Sequence, residues 1–251
     1  MAVRVLDSRY YEVTGIDVAP SKGIIYRTVN PEDVPYTFGA VYTTDAFYPG
    51  ELATLGKPYI LRDHRGVVVT VNPLQYNPVT RVLRVYTEMT VELVSVGPGM
   101  VNVMDRSGFQ HALNVAFHDL YTAQFINYNL DLRYDPLDED GDMLIICHDA
   151  WMGNVQALAD HKTSIGIPAT VVGVSTIGNN ATSILNHIQG VYDTSDLAYV
   201  LLVGDASQVA TPYASGGASD PSYAKLAGSD DYPDIMVGRF SAETAADVDT
   251  Q

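Results

Sequence analysis

The chain has 251 residues, of which 47% are hydrophobic and 18% are charged. This length is enough for two ordinary domains, since single cores usually stop growing at roughly 100 to 200 residues. Thirty acidic residues against fourteen basic ones give a formal net charge of -16. A field of that sign repels polyphosphate and anionic lipid, so nucleic acid is not an expected partner.

Cys147 is the only cysteine of the sequence. A single thiol excludes an internal disulfide and a cysteine-based zinc site, and it leaves the redox compartment open. No apolar run approaches the roughly 20 residues needed to cross a bilayer, so we expect no membrane span. The N-terminus shows no basic stretch followed by an apolar one, so a secreted parent would carry its signal peptide outside these residues.

Residues 1 to about 110 have the pattern of antiparallel β-strands. Apolar and polar residues alternate between positions 81 and 93, which predicts a strand with one buried face. The GVVVTV run at 66–71 predicts a second strand, and the prolines and asparagines at 72–80 predict a hairpin connection between the two. Further strands are predicted at 3–5, 10–13, 24–28, 36–42 and 58–61. We therefore expect an N-terminal β-sandwich or barrel-like domain.

From Asp142 the pattern changes to short apolar runs that alternate with amphipathic stretches. Strands are predicted at 143–147, 169–174 and 198–204, and helices at 150–164 and 181–192. Such a βαβαβ unit favours a mostly parallel sheet with helices on both faces, so the chain as a whole is predicted to be α+β. Ligand chemistry is expected at the carboxyl ends of the strands, where these residues fall: Cys147, His148, Asp149, Gly204 and Asp205.

Between the two halves, the segment 109–142 is polar and carries five acidic residues in its last eight positions. This composition predicts an exposed linker. Three of its aspartates flank Gly141 and suggest a calcium loop, but an EF-hand needs a later glycine and a glutamate six residues beyond it. We reject an EF-hand because a strand begins there instead.

Cys147 and His148 are adjacent, which suggests a nucleophile and its base. Neighbouring residues on a strand point to opposite faces, so these two side chains are not expected to hydrogen-bond to each other. We predict that Cys147 is an inert core residue, since free cysteine is among the most buried residue types. The other histidines show no metal-ligand spacing.

An acidic turn at 228–234, with the sequence GSDDYPD, places three carboxylates within five residues. Like charges at this spacing repel one another unless a cation or hydrogen bonds compensate, so the turn is a candidate oxygen cage for Ca²⁺. A hydrogen-bonded turn with solvated carboxylates explains the same residues equally well. Asp205, alone at a strand end, is as suited to capping a helix as to binding an ion.

The runs LAYVLLVGDASQVATPY and SDPSYAKLAGSDDYPDIMVGRFSAET resemble the first subdomain of the gingipain family of cysteine peptidases, which has a caspase-like fold. PYILRDHRGVVVTVNPLQYNPVTRVLRVYTEMTVEL is similar to the β-rich pro-segment of that family, and FINYNLDLRYDP is similar to its junction with the mature enzyme. The resemblance covers about residues 58–251. It implies a pro-domain with linker at 1–133, a truncated first peptidase subdomain at 134–251, and activating cleavage between Arg133 and Tyr134.

The resemblance also implies a structural Ca²⁺ site in the acidic turn. It assigns Asp230 and Asp234 as side-chain ligands, and Ala227 and Tyr232 as carbonyl ligands. Asp205 would serve a second calcium site, whose other ligands lie beyond the end of this sequence.

The family's catalytic residues are a histidine in a Y-T-G-H-G-like segment and a cysteine that follows a buried strand. Neither motif occurs in this sequence, so both residues are expected beyond Gln251 and the chain alone is predicted to be inactive. The implied parent is a secreted or cell-surface cysteine endopeptidase made as a zymogen. Its implied partners are the rest of the catalytic domain and protein or peptide substrates.

A different class of function remains open: a non-catalytic, calcium-stabilised module of a secretion or adhesion protein with gingipain-like architecture. Only the sequence that follows Gln251 in the parent protein separates it from the peptidase. A nucleotide-binding domain is disfavoured, because neither G-x-G-x-x-G nor a P-loop lysine motif follows any predicted strand.

Overall fold

A computed structural model describes residues 1–128 and 140–251 of the chain. These residues group into two compact units. The first unit comprises Met1–Lys57 and Val67–Gly99, and the second comprises Pro58–Gly66 and Met100–Gln251. The predicted cleavage site at Arg133 and Tyr134 lies outside the described residues, so the domain boundary at that position stays a prediction.

The strands of the N-terminal region pair only in the antiparallel sense within the described residues, as the alternation predicted. In chain order they are β1 (Ala2–Thr14), β2 (Ala53–Leu55), β3 (Tyr59–Leu61), β4 (His64–Gly66), β5 (Val69–Val71), β6 (Leu74–Asn77) and β7 (Val82–Val94). The first unit contains a three-stranded sheet in the order β1-β7-β6 and the pair β2-β5, while the pair β3-β4 belongs to the second unit.

The predicted hairpin between 66–71 and 81–93 is wrong. Strand β7 pairs instead with β6, which lies inside the predicted connection, and the GVVVTV run is divided between β4 and β5. The turn is shorter than expected because the Asn77 side chain accepts hydrogen bonds from the backbone N–H groups of Val79 and Thr80. Arg81 then turns the chain with a φ of 56°.

Three other strand predictions need correction. The two strands predicted at 3–5 and 10–13 form one continuous strand, β1, whose register shifts twice against β7. Residues 24–28 form no strand, and the segment 36–42 ends in a 3-10 helix at Ala40–Thr43. In the described structure, the segments 24–28 and 36–42 have no partner strand to complete a ladder.

The second unit contains the predicted α/β arrangement. Its remaining elements are α1 (Val115–Gln124), β8 (Asp142–Cys147), α2 (Met152–Ser164), β9 (Ala169–Gly173), α3 (Val174–Ile177), α4 (Ala181–Tyr192), β10 (Leu197–Val203), β11 (Tyr213–Ala214), β12 (Gly217–Ala218), β13 (Met236–Phe240) and α5 (Ala245–Asp249). Four strands form a parallel sheet in the order β13-β10-β8-β9. In the described part of the chain, no helix is both long and apolar enough to cross a membrane.

The parallel sheet has a core on each face because side chains alternate along its central strands. Leu144 and Leu202 belong to the cluster that includes Ile184 and Ile188 of α4. Ile145, Cys147 and Val203 belong to the opposite cluster, together with residues of α2. Each fully buried Leu or Ile contributes about 1.5–3 kcal/mol relative to an exposed position. These two cores fix the strand ends that carry the candidate site.

Candidate functional site

The acidic loop, residues 226–234, lies directly before β13 and is organised around a fully buried carboxylate. Asp234 is 0% exposed. Its Oδ2 accepts hydrogen bonds from the backbone N–H of Leu226 at 2.8 Å and of Ala227 at 2.7 Å, and its Oδ1 accepts one from the N–H of Arg62 at 2.8 Å. Three N–H donors compensate the desolvated charge, which would otherwise cost several kcal/mol.

Asp230 is the second carboxylate that the loop fixes. Its Oδ1 accepts from the N–H of Tyr232 at 3.0 Å, and its Oδ2 accepts from the N–H of Ile60 and from the Asn102 side chain, both at 2.9 Å. Burial raises the pKa of the Asp234 carboxyl to about 6, the neighbouring charge of Asp230 adds to that rise, and the N–H bonds to Asp234 oppose it.

The oxygens that remain free determine whether this loop suits a cation. Oδ1 of Asp230 and Oδ1 of Asp234 each accept a single hydrogen bond from the residues that the structure describes, which leaves a lone pair on each oxygen for a further ligand. Among the described residues, no group of three or more His, Cys, Asp or Glu side chains is arranged to hold a metal ion. The predicted set needs only two carboxylates and the carbonyls of Ala227 and Tyr232, so its donors fit calcium in type. Calcium binding stays a prediction.

Asp205 lies at the other edge of the parallel sheet. It follows the carboxyl end of β10, whereas the acidic loop precedes the amino end of β13, and these two strands run parallel. The backbone carbonyl of Asp205 accepts from the N–H groups of Gln208 and Val209, which starts a turn there. Asp205 therefore cannot share one ion with Asp234, in keeping with its assignment to a separate site.

Arg62 is a buried charged residue beside the acidic loop that no sequence pattern predicted. Its side chain lies at the start of β10, where Nη1 donates to the carbonyl of Leu197 at 2.7 Å and to that of Asp234 at 2.9 Å. The residue is only 4% exposed, and its guanidinium lies 4.7 Å from the ring centroid of Phe117. Asp63 is 3.6 Å from Nε. The only sequence signal was a charged residue directly after the fully buried strand β3.

Apolar contacts surround this buried arginine. Tyr59 stacks on Tyr232 of the acidic loop with 3.6 Å between ring centroids. Leu61 packs in one cluster with Phe117 and with Ala198 of β10. Helix α1 is fixed to the same edge because its N-cap residue, Asn114, binds the N–H of Ala116 through Oδ1 and the Tyr199 hydroxyl through Nδ2.

The residues at the carboxyl ends of the strands do not form a nucleophile and base. Cys147 is 0% exposed, and burial, with a further effect of Asp149, raises the pKa of its thiol to about 11. The thiol donates to the backbone carbonyl of His148, and the imidazole of His148 packs edge-on against Trp151. Asp149 is engaged by Ser175, whose hydroxyl donates to it at 2.6 Å. Cys147 is thus the buried core residue that was predicted.

Family models match the two parts of the chain in succession. The model described as Propeptide_C25 matches residues 1–128, and the model described as Peptidase family C25 matches residues 136–251. Together they cover every residue that the structure describes. The interval between the two matches contains Arg133 and Tyr134.

Curated relatives resemble the chain over its whole length. Gingipain R2 of Porphyromonas gingivalis is 38% identical over 260 residues, which is 100% of this chain and 34% of that protein. Gingipain R1 of the same organism is 37% identical over 257 residues, which is 100% of this chain and 25% of the relative. The chain therefore spans about a third or less of the length of these relatives.

Solved structures give partial superpositions. A complex of the RgpB pro- and mature domains of Porphyromonas gingivalis is 43% identical, covers 51% of this chain and 63% of that one, and has a TM-score of 0.40. The Arg-specific cysteine proteinase gingipain R is 29% identical, covers 49% of this chain and 28% of that one, and has a TM-score of 0.43. On the family matches, the chain belongs to the gingipain family, C25, and joins its propeptide to the start of its peptidase domain.

Proposed function

We propose that the chain is the N-terminal portion of a secreted or cell-surface cysteine endopeptidase zymogen, activated by cleavage after Arg133. The observation that carries this proposal is the order of the two family matches, which leaves residues 129–135 between propeptide and peptidase. Arg133 and Tyr134 fall in that interval. An arginine before the cut bond suits activation by an arginine-specific enzyme. A second copy of the parent protein could be that enzyme if the parent shares the arginine specificity named for gingipain R.

The chemistry of the parent requires residues outside this chain. A cysteine peptidase needs an accessible thiolate beside a histidine that lowers its pKa and carries the proton to the leaving amine. Cys147 is buried and its thiol has a raised pKa, so it has neither property. We propose that the catalytic His and Cys follow Gln251, that the rest of the catalytic domain is the partner of this portion, and that proteins or peptides are the substrates.

Limited proteolysis tests the activation site. We expect a trypsin-like protease to cut the 251-residue chain first after Arg133, giving fragments 1–133 and 134–251, while Arg133→Gln removes that earliest cut. N-terminal sequencing of the products identifies the bond. Early cleavage elsewhere, with the bond after Arg133 intact, would contradict the proposal. A parent sequence that lacks the His and Cys motifs after Gln251 would instead support the non-catalytic module.

We also propose that the acidic loop binds Ca²⁺ through Asp230, Asp234 and the carbonyls of Ala227 and Tyr232. A ligand that binds only the folded state raises its stability, so the melting temperature should rise with Ca²⁺ and fall with a chelator. Asp230→Asn should abolish the response to calcium whatever its effect on stability alone. Asp17→Asn is the matched control, because that exposed side chain lies in the first unit. An unchanged melting temperature on adding Ca²⁺ would remove the metal site.

A further inference from the structure

We infer that a cavity of the second unit binds a basic amino acid, either free or at the C-terminus of a peptide. The cavity has a volume of about 490 Å³. Small-molecule sites in proteins have volumes of roughly 300–1,000 Å³. Its lining comes from β3 and the start of β4, from the segment 103–111, from the end of α4 and from the acidic loop. This ligand site is separate from the proposed cut after Arg133 and from the catalytic residues expected beyond Gln251.

Arg62 supplies buried hydrogen-bond donors to the cavity lining. Its Nη1 is already used, because it donates to the carbonyls of Leu197 and Asp234. Its Nε and Nη2 atoms are buried and have no hydrogen-bond partner among the residues described. These two N–H groups lie on one edge of the planar guanidinium and form the fork that a carboxylate accepts bidentately. Buried donors without an acceptor are costly, so this edge favours a ligand carboxylate.

The neighbouring carboxylate of Asp63 does not satisfy this edge. Its Oδ2 lies 3.6 Å from Nε of Arg62, which is too long for a hydrogen bond. The same oxygen accepts from the Tyr121 hydroxyl at 2.7 Å. The Asp63 side chain is 28% exposed, whereas that of Arg62 is 0% exposed. Arg62 thus keeps its open edge, and Asp63 adds a negative charge that a cationic group of the ligand can approach.

The charges of the lining select a ligand that also carries positive charge. Three aspartates and two arginines line the cavity: Asp63, Asp105, Asp193, Arg62 and Arg106. Their sum is one net negative charge, which disfavours a dianion such as phosphate. A basic amino acid brings one carboxylate and two cationic groups, and its net charge balances that of the lining. Its carboxylate matches the Arg62 edge, and its cationic groups match the exposed residues Asp105 and Asp193.

Two histidines of the lining add no charge at neutral pH. Burial lowers the pKa of the His64 imidazole, and burial together with the charge of Arg62 lowers the pKa of His111. The His111 ring packs against the rings of Phe109 and Tyr192, with centroid distances of 5.2 Å and 4.3 Å. These rings give the cavity an apolar wall, against which the methylene stem of a lysine or arginine ligand can pack.

Calorimetric titration of the 251-residue chain with L-arginine tests the site. We expect saturable binding with a dissociation constant below ~10 mM. Agmatine lacks the carboxylate and should bind at least ~10-fold more weakly, because it leaves the Arg62 edge unsatisfied. Norvaline lacks the guanidinium and should also bind about 10-fold more weakly. Equal affinities for L-arginine and agmatine, or no saturation with L-arginine, would overturn the inference.

A pair of peptides distinguishes the two sources of the ligand. Acetyl-Gly-Arg has a free C-terminal carboxylate, and its C-terminal amide lacks that charge. Binding of the acid but not of the amide would support peptide ends as ligands. Binding of L-arginine without binding of either peptide would support the free amino acid. An amide that binds as tightly as the acid would contradict the role of the carboxylate.

Matched substitutions assign the binding to this cavity. Arg62→Lys keeps the buried charge but removes the fork, so it should weaken L-arginine binding by at least ~10-fold. Asp193→Asn removes an exposed carboxylate of the lining and should weaken it about 3-fold. Asp160→Asn is the control for Asp193→Asn and should leave the affinity unchanged. Both aspartates are exposed and accept from a glutamine four residues earlier at 2.8 Å, but Asp160 does not line the cavity.

Circular dichroism shows which variants fold. If Arg62→Lys does not fold, the comparison of Asp193→Asn with Asp160→Asn decides the assignment. Equal affinities of these two variants for L-arginine would overturn it.

Discussion

The two units of the chain use their apolar residues in different ways. In the first unit only Ala53, Gln75 and Asn77 are buried, although its longest strands, β1 and β7, are 13 residues long each and pair with one another. The second unit buries three apolar clusters, two of them on opposite faces of its parallel sheet. Backbone pairing alone orders a strand, but burial on both faces is what gives a unit most of its stability.

The region matched by the propeptide model is divided between the two compact units. Strands β3 and β4 and helix α1 lie within residues 1–128, yet they belong to the second unit. Part of the pro-segment therefore folds as a component of the peptidase portion.

Truncation of core residues gives the largest contrast. Leu202→Ala should lower the free energy of unfolding of the second unit by about 3–5 kcal/mol, because Leu202 is 0% exposed and its loss leaves a cavity. Leu83→Ala is the matched change in β7, where the side chain is half-buried, and should cost about 1 kcal/mol. Urea unfolding measures both. Equal losses would show that the first unit has a core of comparable density.

Breaking an ion pair should also cost more stability in the second unit than in the first. Arg239 donates to both carboxylate oxygens of Asp220 at 2.7 Å, and its side chain is 11% exposed, so Arg239→Ala should cost about 3 kcal/mol. Arg81 and Asp17 form an equally short pair in the first unit, but their side chains are 52% and 76% exposed. Arg81→Ala should cost less than about 1 kcal/mol. A loss at Arg81 as large as that at Arg239 would contradict the burial argument.

The Asp220 pair should also make stability depend on pH. The bonds from Arg239 hold the pKa of Asp220 below its ordinary value, with a further contribution from Thr211. A carboxyl whose pKa is depressed by folding stabilises the protein above the unfolded pKa of about 4, and that stabilisation is lost as the pH falls through the folded value. Below pH about 4, the free energy of unfolding should therefore fall more steeply for the native chain than for Asp220→Asn. Parallel pH profiles for the two proteins would refute the assignment.

The rate at which a cysteine thiol reacts with a reagent compares burial in the two units with little change in their stability. Cys147 should react with a thiol reagent at pH 8 at least about 100-fold more slowly in the folded chain than in denaturant, since it is fully buried and its pKa is raised to about 11. In a Cys147→Ala background, Val85→Cys places a thiol on half-buried β7 and should react readily. Rapid labelling of Cys147 in the folded chain would show that the apolar cluster around Cys147 in the second unit opens easily.

The sequence predicted the parallel sheet better than the antiparallel one for a physical reason. Strands β8 and β10 are continuous apolar runs between amphipathic helices, and this arrangement has few alternatives. The strands of the first unit are defined by their partners. The GVVVTV run at 66–71 predicted a single strand, but it could not show that β4 pairs with β3 while β5 pairs with β2.

Only part of the candidate site could be predicted from the sequence. The acidic loop was visible because its carboxylates lie close together in the chain. Arg62 was not, because its partners Leu197 and Asp234 are 135 and 172 positions away. Nothing in a local pattern distinguishes a buried arginine from a surface one. The family resemblance supplied the order of pro-segment and peptidase, and the structure supplied the contacts between them.

Hydrogen exchange of the intact chain, followed by mass spectrometry, tests most directly whether part of the pro-segment folds with the peptidase portion. Protection reports the free energy of opening for each cooperative unit. We predict that β3, Arg62 and α1 exchange as slowly as β10, whereas β1 and β7 exchange faster and as a separate group. Exchange of β3 and α1 together with β1 and β7, independently of β10, would contradict the account.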